Sequence, residues 1–100
     1  MNYPLLIKST PVVLVEFYAD WCPHCRRMKR VQRELTEELG SETNFFTIDV
    51  EKHPDVVAEV EVTLYPTFII YRRGKEVYRA IGVQSKDDLL MKLAEFASKQ

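Results

Sequence analysis

From Val12 to Tyr18 the chain reads VVLVEFY, apolar at all but one position and mostly β-branched or aromatic. A half-exposed strand alternates apolar with polar residues, whereas a strand covered on both faces does not, so this run predicts a central strand of a parallel or mixed sheet. Its one interruption is Glu16, whose carboxyl such a strand would hold out of water, favouring the neutral form. After Cys25 the apolar spacing becomes helical: Met28, Val31, Leu35 and Leu39 recur at three and four residues, and Gly40 is a natural stop. A helix running to about Leu39 is predicted.

Phe45 to Val50 is a second apolar segment of strand length, and His53-Pro54 opens a short helix that turns Val56, Val57 and Val60 inward. Thr67 to Tyr71 gives a third strand. The turn Arg72-Arg73-Gly74-Lys75 joins it to a fourth over Glu76 to Ile81, as a hairpin. Ser85 followed by Asp88 resembles a capping box, and Leu89, Leu90, Leu93, Phe96 and Ala97 form the stripe of a closing helix. After the first ten residues the order is β, α, β, α, β, β, α. The fold class is α/β, a central mixed sheet of about four strands with helices on both faces. The strands at Val12 and Phe45 should be parallel, since the helix after Cys25 supplies the crossover. No strand is expected within residues 1–10.

One hundred residues without repeat, linker or composition shift make one domain, 1–100. Fourteen basic against fifteen acidic residues leave a net charge of -1, which lacks the field that nucleic-acid binders use. No apolar run approaches the roughly 20 residues that span a bilayer. MNYPLLIKST has neither the basic start nor the apolar stretch of a secretory signal, so the expected location is cytoplasmic, or extracytoplasmic if a signal was removed before this numbering begins.

The two cysteines carry the chemistry. Cys22 and Cys25 stand two residues apart, and a loop that short gains only about 2 kcal/mol from a cross-link, so a structural staple is a poor explanation. Redox chemistry, a metal site or a pair of inert thiols remain. Pro23 suits the first turn of a helix, where its missing N–H costs nothing, and this sets Cys22 at the helix N-terminus. Unpaired N–H groups and the helix dipole favour the thiolate there, while the second cysteine is drawn beneath the helix. Exchange needs one thiolate to attack and a second thiol to resolve. Cys22 is therefore the expected nucleophile and Cys25 the resolver. His24, between them, adds a donor or a positive charge that stabilises the reduced form and makes the disulfide a stronger oxidant. Glu16, six residues before Cys22 in a buried strand, is the candidate base for the Cys25 proton.

The run VEFYADWCPHC resembles the active-site segment of the thioredoxin superfamily, and its Glu-Phe-Tyr-Ala is similar to the catalytic domains of protein disulfide isomerase. Tyr65-Pro66-Thr67 resembles the family's cis-proline loop, Gly74 its hairpin glycine and Gly82 the glycine before its last helix. The resemblance covers nearly the whole chain and implies a thioredoxin-like fold. It also implies that Trp21 shields the site, that Pro66 is cis, and that the backbone at Tyr65 pairs with an extended substrate segment.

Three departures accompany it. CPHC resembles the bacterial periplasmic disulfide oxidases rather than the CGPC of ordinary thioredoxins. Only eleven residues separate Pro54 from Pro66, which leaves no room for the helical insertion of those oxidases. The family's first strand is missing, and Thr47 stands where a buried lysine is usual, so Glu16 would lack a charge partner. The basic cluster Arg26, Arg27, Lys29, Arg30 and Arg33 reads as a solvated helix face, with Arg30–Glu34 and Arg33–Glu37 as i,i+4 pairs.

These readings converge on a monomeric protein thiol-disulfide oxidoreductase that needs no cofactor. It would act on substrate proteins through a transient mixed disulfide and be reset by a redox partner. Two alternatives stand beside it. One is a non-catalytic module that binds peptides in the cis-proline groove. The other is a metal site using Cys22, Cys25, His24 or His53, although a tetrahedral zinc wants four converging ligands and only one Cys-x-x-Cys exists.

Overall fold

The computed structural model describes residues 1–98. In chain order the elements are α1 (Tyr3–Leu6), β1 (Val12–Tyr18), α2 (Pro23–Arg26), α3 (Lys29–Glu38), β2 (Thr43–Asp49), α4 (Pro54–Val60), β3 (Thr67–Arg72), β4 (Lys75–Ile81) and α5 (Lys86–Ala97). The four strands form one sheet in the order β2-β1-β3-β4. β1 is central, as its nearly continuous apolar pattern requires. It pairs parallel with β2, placing Glu16 opposite Thr47, and antiparallel with β3, placing Glu16 opposite Phe68. β3 and β4 form the hairpin. The two residues between these strands, Arg73 and Gly74, both have positive φ, 50° and 81°, as a two-residue type I′ loop demands.

Alternate residues of β1 point to opposite faces, and the core divides accordingly. Val13, Val15 and Phe17 pack with Tyr3 of α1, Val56 of α4, Ile48 and Ile69 on one face. Val12 and Leu14 pack with Phe68, Ile70, Leu35 of α3, and Leu89 and Leu93 of α5 on the other. Glu16 shares this second face by its strand parity.

Four sequence expectations need correction. The helix after Cys25 is two helices, broken at Arg27 and Met28, where the Met28 N–H bonds the Cys25 carbonyl (3.0 Å) in the tighter i→i+3 pattern. The break lets Cys25 join one half of the core and Met28 the other, while the apolar spacing runs on unchanged. Gly40 is not the stop, because α3 already ends at Glu38 with Leu39 extended. Arg30 does pair with Glu34 (3.2 Å), but no Arg33–Glu37 pair forms among the described residues. Glu34 and Glu38 instead meet Lys86 at 3.4 and 2.9 Å, tying α3 to the start of α5. Finally, Ala97 is exposed, so the buried stripe of α5 is centred on Leu89 and Leu93.

The N-terminal residues form no strand. Asn2 caps α1 by accepting the Leu5 N–H (3.1 Å), and the Tyr3 hydroxyl meets that of Tyr71 (2.8 Å) inside the core. Ser85 caps α5 through the Asp88 N–H (3.0 Å), as expected. No helix among the described residues is long and apolar enough to cross a membrane.

Candidate active site

β1 carries the chain to the end of the sheet where it finishes at Tyr18, and the next turn starts α2 with Cys22 as its N-cap. Pro23 takes the first helical position, where it loses no hydrogen bond. The Cys22 sulfur accepts the Cys25 N–H (3.2 Å), one of the donors that a helix start leaves unpaired. The Cys22 thiol points to the Tyr65 carbonyl at 3.5 Å. Both cysteines are free.

Exposure does not separate the two thiols, although only the second is expected beneath the helix: each is only 4% exposed. Their surroundings differ instead. Cys22 sits at the helix tip against the Tyr65 loop, whereas burial, contact with Cys22 and the charge of Glu16 push the Cys25 thiol up to about 12.

The loop from Leu64 to Thr67 forms the opposite wall. The Tyr65–Pro66 bond is cis, as the resemblance implied. The Pro66 carbonyl is held by the Gly82 N–H (2.8 Å), and the Thr67 hydroxyl donates to the Leu64 carbonyl. Trp21 stands edge-on to Tyr65 with ring centroids 6.0 Å apart. Pro66 and Thr67 are buried, while Trp21 is 59% exposed. The sequence reading did not anticipate Leu64, exposed at the start of this loop, or Ile81 and Val83, exposed on either side of Gly82. Large side chains next to Pro66 and Gly82 were the only available signal.

Glu16 is fully buried. Its Oε1 accepts from the Gln32 amide (2.7 Å), and its Oε2 has no partner among the described residues. Burial pushes the carboxyl up to about 7, against the smaller opposing pull of the Gln32 hydrogen bond. With Thr47 opposite, no cation compensates it among the described residues. A cleft of about 610 Å³, walled by Cys25, Lys29, Gln32, Arg33 and Thr47 among others, opens beside it.

His24 is exposed on the first turn of α2, and no hydrogen bond joins it to Cys22. Arg26, Arg27, Lys29, Arg30 and Arg33 are exposed as expected of a solvated face. His53 precedes α4 and makes no described contact with the cysteines. Among the described residues no three His, Cys, Asp or Glu side chains gather as a metal site would require.

A four-stranded mixed sheet carrying a Cys-x-x-Cys at a helix N-terminus, faced by a cis-proline loop, defines a thiol-disulfide oxidoreductase of the thioredoxin fold. The family model described as Thioredoxin matches residues 2–95, and the chain belongs to the thioredoxin family. It is 36% identical over 89 residues to thioredoxin Y, chloroplastic, of Oryza sativa subsp. japonica, covering 89% of this chain and 53% of that protein. The chain thus spans about half the length of the rice relative. It is 35% identical over 95 residues to thioredoxin H2 of Arabidopsis thaliana, covering 95% of this chain and 70% of that one. Among solved structures, a mutant thioredoxin from Halobacterium salinarum NRC-1 superposes with a TM-score of 0.88 at 25% identity, covering 99% of this chain and 86% of that one.

Proposed function

We propose that this chain, acting as one domain and a monomer, exchanges disulfides with substrate proteins through Cys22 as nucleophile and Cys25 as resolver. The observation that carries the assignment is the N-cap position of Cys22, whose sulfur already accepts the Cys25 N–H. A thiolate there gains from the same donor and from the helix dipole. Cys22 would attack a substrate disulfide and hold one half of it as a mixed disulfide. Cys25, once deprotonated, would attack the Cys22 sulfur, close the Cys22–Cys25 disulfide and release the substrate thiolate. Glu16 is the base for that proton. Because its charge raises the Cys25 thiol, moving the proton from Cys25 to Glu16 exchanges one negative charge for another rather than adding a second. A redox partner then reopens the disulfide.

Trp21, Tyr65, Pro66 and Thr67 form the substrate wall. The exposed Trp21 ring offers an apolar contact beside Cys22, and Tyr65, Pro66 and Thr67 shape a loop along which an extended segment can lie. Limited alkylation of the reduced protein at mildly acidic pH tests the cysteine assignment. Label is expected on Cys22 first, since Cys25 is held protonated. Preferential labelling of Cys25 would reverse the roles.

The CPHC sequence supports a disulfide more oxidising than that of ordinary thioredoxins, because His24 brings charge and a donor to the turn that bears the Cys22 thiolate. A charge-assisted hydrogen bond of about 1.5–3 kcal/mol corresponds to roughly 30–65 mV. His24 is exposed and makes no such bond in the thiol form, so solvent screening places the expectation near the lower end. The potential is expected about 30 mV above the roughly -270 mV of thioredoxin, and His24→Ala should lower it. Equilibration with glutathione buffers measures both. A wild-type value at or below about -270 mV, or no fall in the variant, would remove His24 from the redox poise.

A further inference from the structure

We propose that Gln32 is a positioning residue for the resolution step: its amide holds one oxygen of Glu16 and leaves the other free to take the Cys25 proton. This inference rests on the reading of Glu16 as the base.

The geometry is specific. Gln32 is half-buried on α3 and also walls the cleft that reaches Cys25 and Thr47. Its Nε2 donates to Glu16 Oε1 at 2.7 Å, a short distance for an N–H···O bond. Glu16 Oε2, equally out of water, accepts from nothing among the described residues. A buried carboxyl normally has both oxygens satisfied, and an exception calls for a reason. An oxygen kept free on a carboxyl whose clamp, Gln32, walls the same cleft as a thiol that must lose its proton has one. The carboxyl on its strand could otherwise rotate about its side-chain torsions, so pinning Oε1 fixes where Oε2 points.

The groups around Glu16 leave the task to Gln32. On β1 itself the next titratable group is Tyr18. From β2 the residue opposite is Thr47 and from β3 it is Phe68, neither of which carries charge. α2 contributes Cys25. α5 turns Leu89 and Leu93 into this half of the core. From α3 come Gln32 itself and, along the cleft wall, Lys29 and Arg33, both exposed to solvent. The only side chain hydrogen-bonded to the carboxyl among the described residues is a neutral donor. A neutral donor favours the carboxylate less strongly than an ammonium would, and so keeps the carboxyl a competent base near neutrality rather than a spectator anion.

The test uses a symmetrical aromatic disulfide whose thiolate absorbs light. Attack by Cys22 releases the first thiolate and resolution by Cys25 releases the second, so stopped-flow traces separate the two steps. Gln32→Leu removes the donor and should raise the pH at which resolution is half-maximal by about one unit. Gln32→Lys should lower it. Neither should alter the amplitude of the attack phase, which also reports that the variants are folded. Carbon-13 NMR of the Glu16 carboxyl should follow the same two shifts. If both midpoints stay at the wild-type value while Glu16→Gln still slows resolution, Gln32 is structural and the base assignment stands alone. If Glu16→Gln leaves resolution unchanged, the base assignment falls and the role of Gln32 falls with it.

Discussion

A Cys22→Ser variant is expected to lose disulfide exchange entirely, by more than about 10³-fold, while a Cys25→Ser variant retains attack and accumulates mixed disulfides. The asymmetry follows from the positions of the two sulfurs. Cys22 is the N-cap of α2 and faces the Tyr65 carbonyl at 3.5 Å. Removing it takes away the proposed nucleophile, and Cys25, buried and held protonated to about 12, offers no thiolate in its place. Removing Cys25 leaves the Cys22 sulfur with its helix-start donor, since that donor is the backbone N–H of residue 25 and survives the substitution. Attack proceeds, but the intramolecular thiol that would displace the substrate is gone. Incubation of Cys25→Ser with a reducible protein disulfide, followed by non-reducing electrophoresis, should give a 1:1 adduct that dithiothreitol releases. An adduct formed by Cys22→Ser instead, or rapid turnover by either variant, would invert the assignment.

The parts of this site that were legible in the sequence share one property: their chemistry is local. Cys22, Pro23 and Cys25 define a helix start and a dithiol within four residues, and the structure places Cys22 at the N-cap. The apolar run from Val12 to Phe17 announced a strand covered on both faces, and all six of its residues are buried. Glu16 stood out because it broke that run.

What escaped depends on contacts that sequence spacing does not encode. The break at Arg27 and Met28 preserves the helical recurrence of Met28, Val31, Leu35 and Leu39, so no period reveals it. Gln32 lies four residues after Met28, toward the buried face, and a polar residue there was the one available hint. Its partner is sixteen residues away on another element. Glu34 and Glu38 found Lys86 rather than only their own helix, because α5 packs against α3. The low exposure of Cys22 likewise comes from the loop whose Tyr65 lies 43 residues later.

Glu16→Gln should make the reduced protein more stable at neutral and alkaline pH, and slower at resolution. The sign follows from linkage. The carboxyl titrates near 4.5 when free and near 7 in the fold, raised by burial. Below the first value both states hold the proton, and Glu16 exerts no pH-dependent effect. Between the two the folded state holds a proton that the unfolded state has lost, so stability falls as pH rises. Above about 7 the fold must keep a buried carboxylate with one unpartnered oxygen, and the full cost applies. A difference of that size amounts to about 3 kcal/mol, a large share of the 5–15 kcal/mol that typically holds a domain together. Glutamine keeps the shape and removes the charge. Urea unfolding of the reduced protein between pH 4 and pH 8.5 should therefore show wild type losing about 3 kcal/mol over the range relative to Glu16→Gln, with most of the loss between pH 4.5 and 7. Near pH 8 this corresponds to a gain of roughly 10–20 °C in Tm for a domain of this size. A carboxylate retained at that cost is expected where the chemistry uses it, and the same variant should release the second thiolate more slowly than wild type. Equal stability of the two proteins at pH 8 would mean that water or a rearranged partner relieves the buried charge, and the strain assigned to Glu16 would be absent.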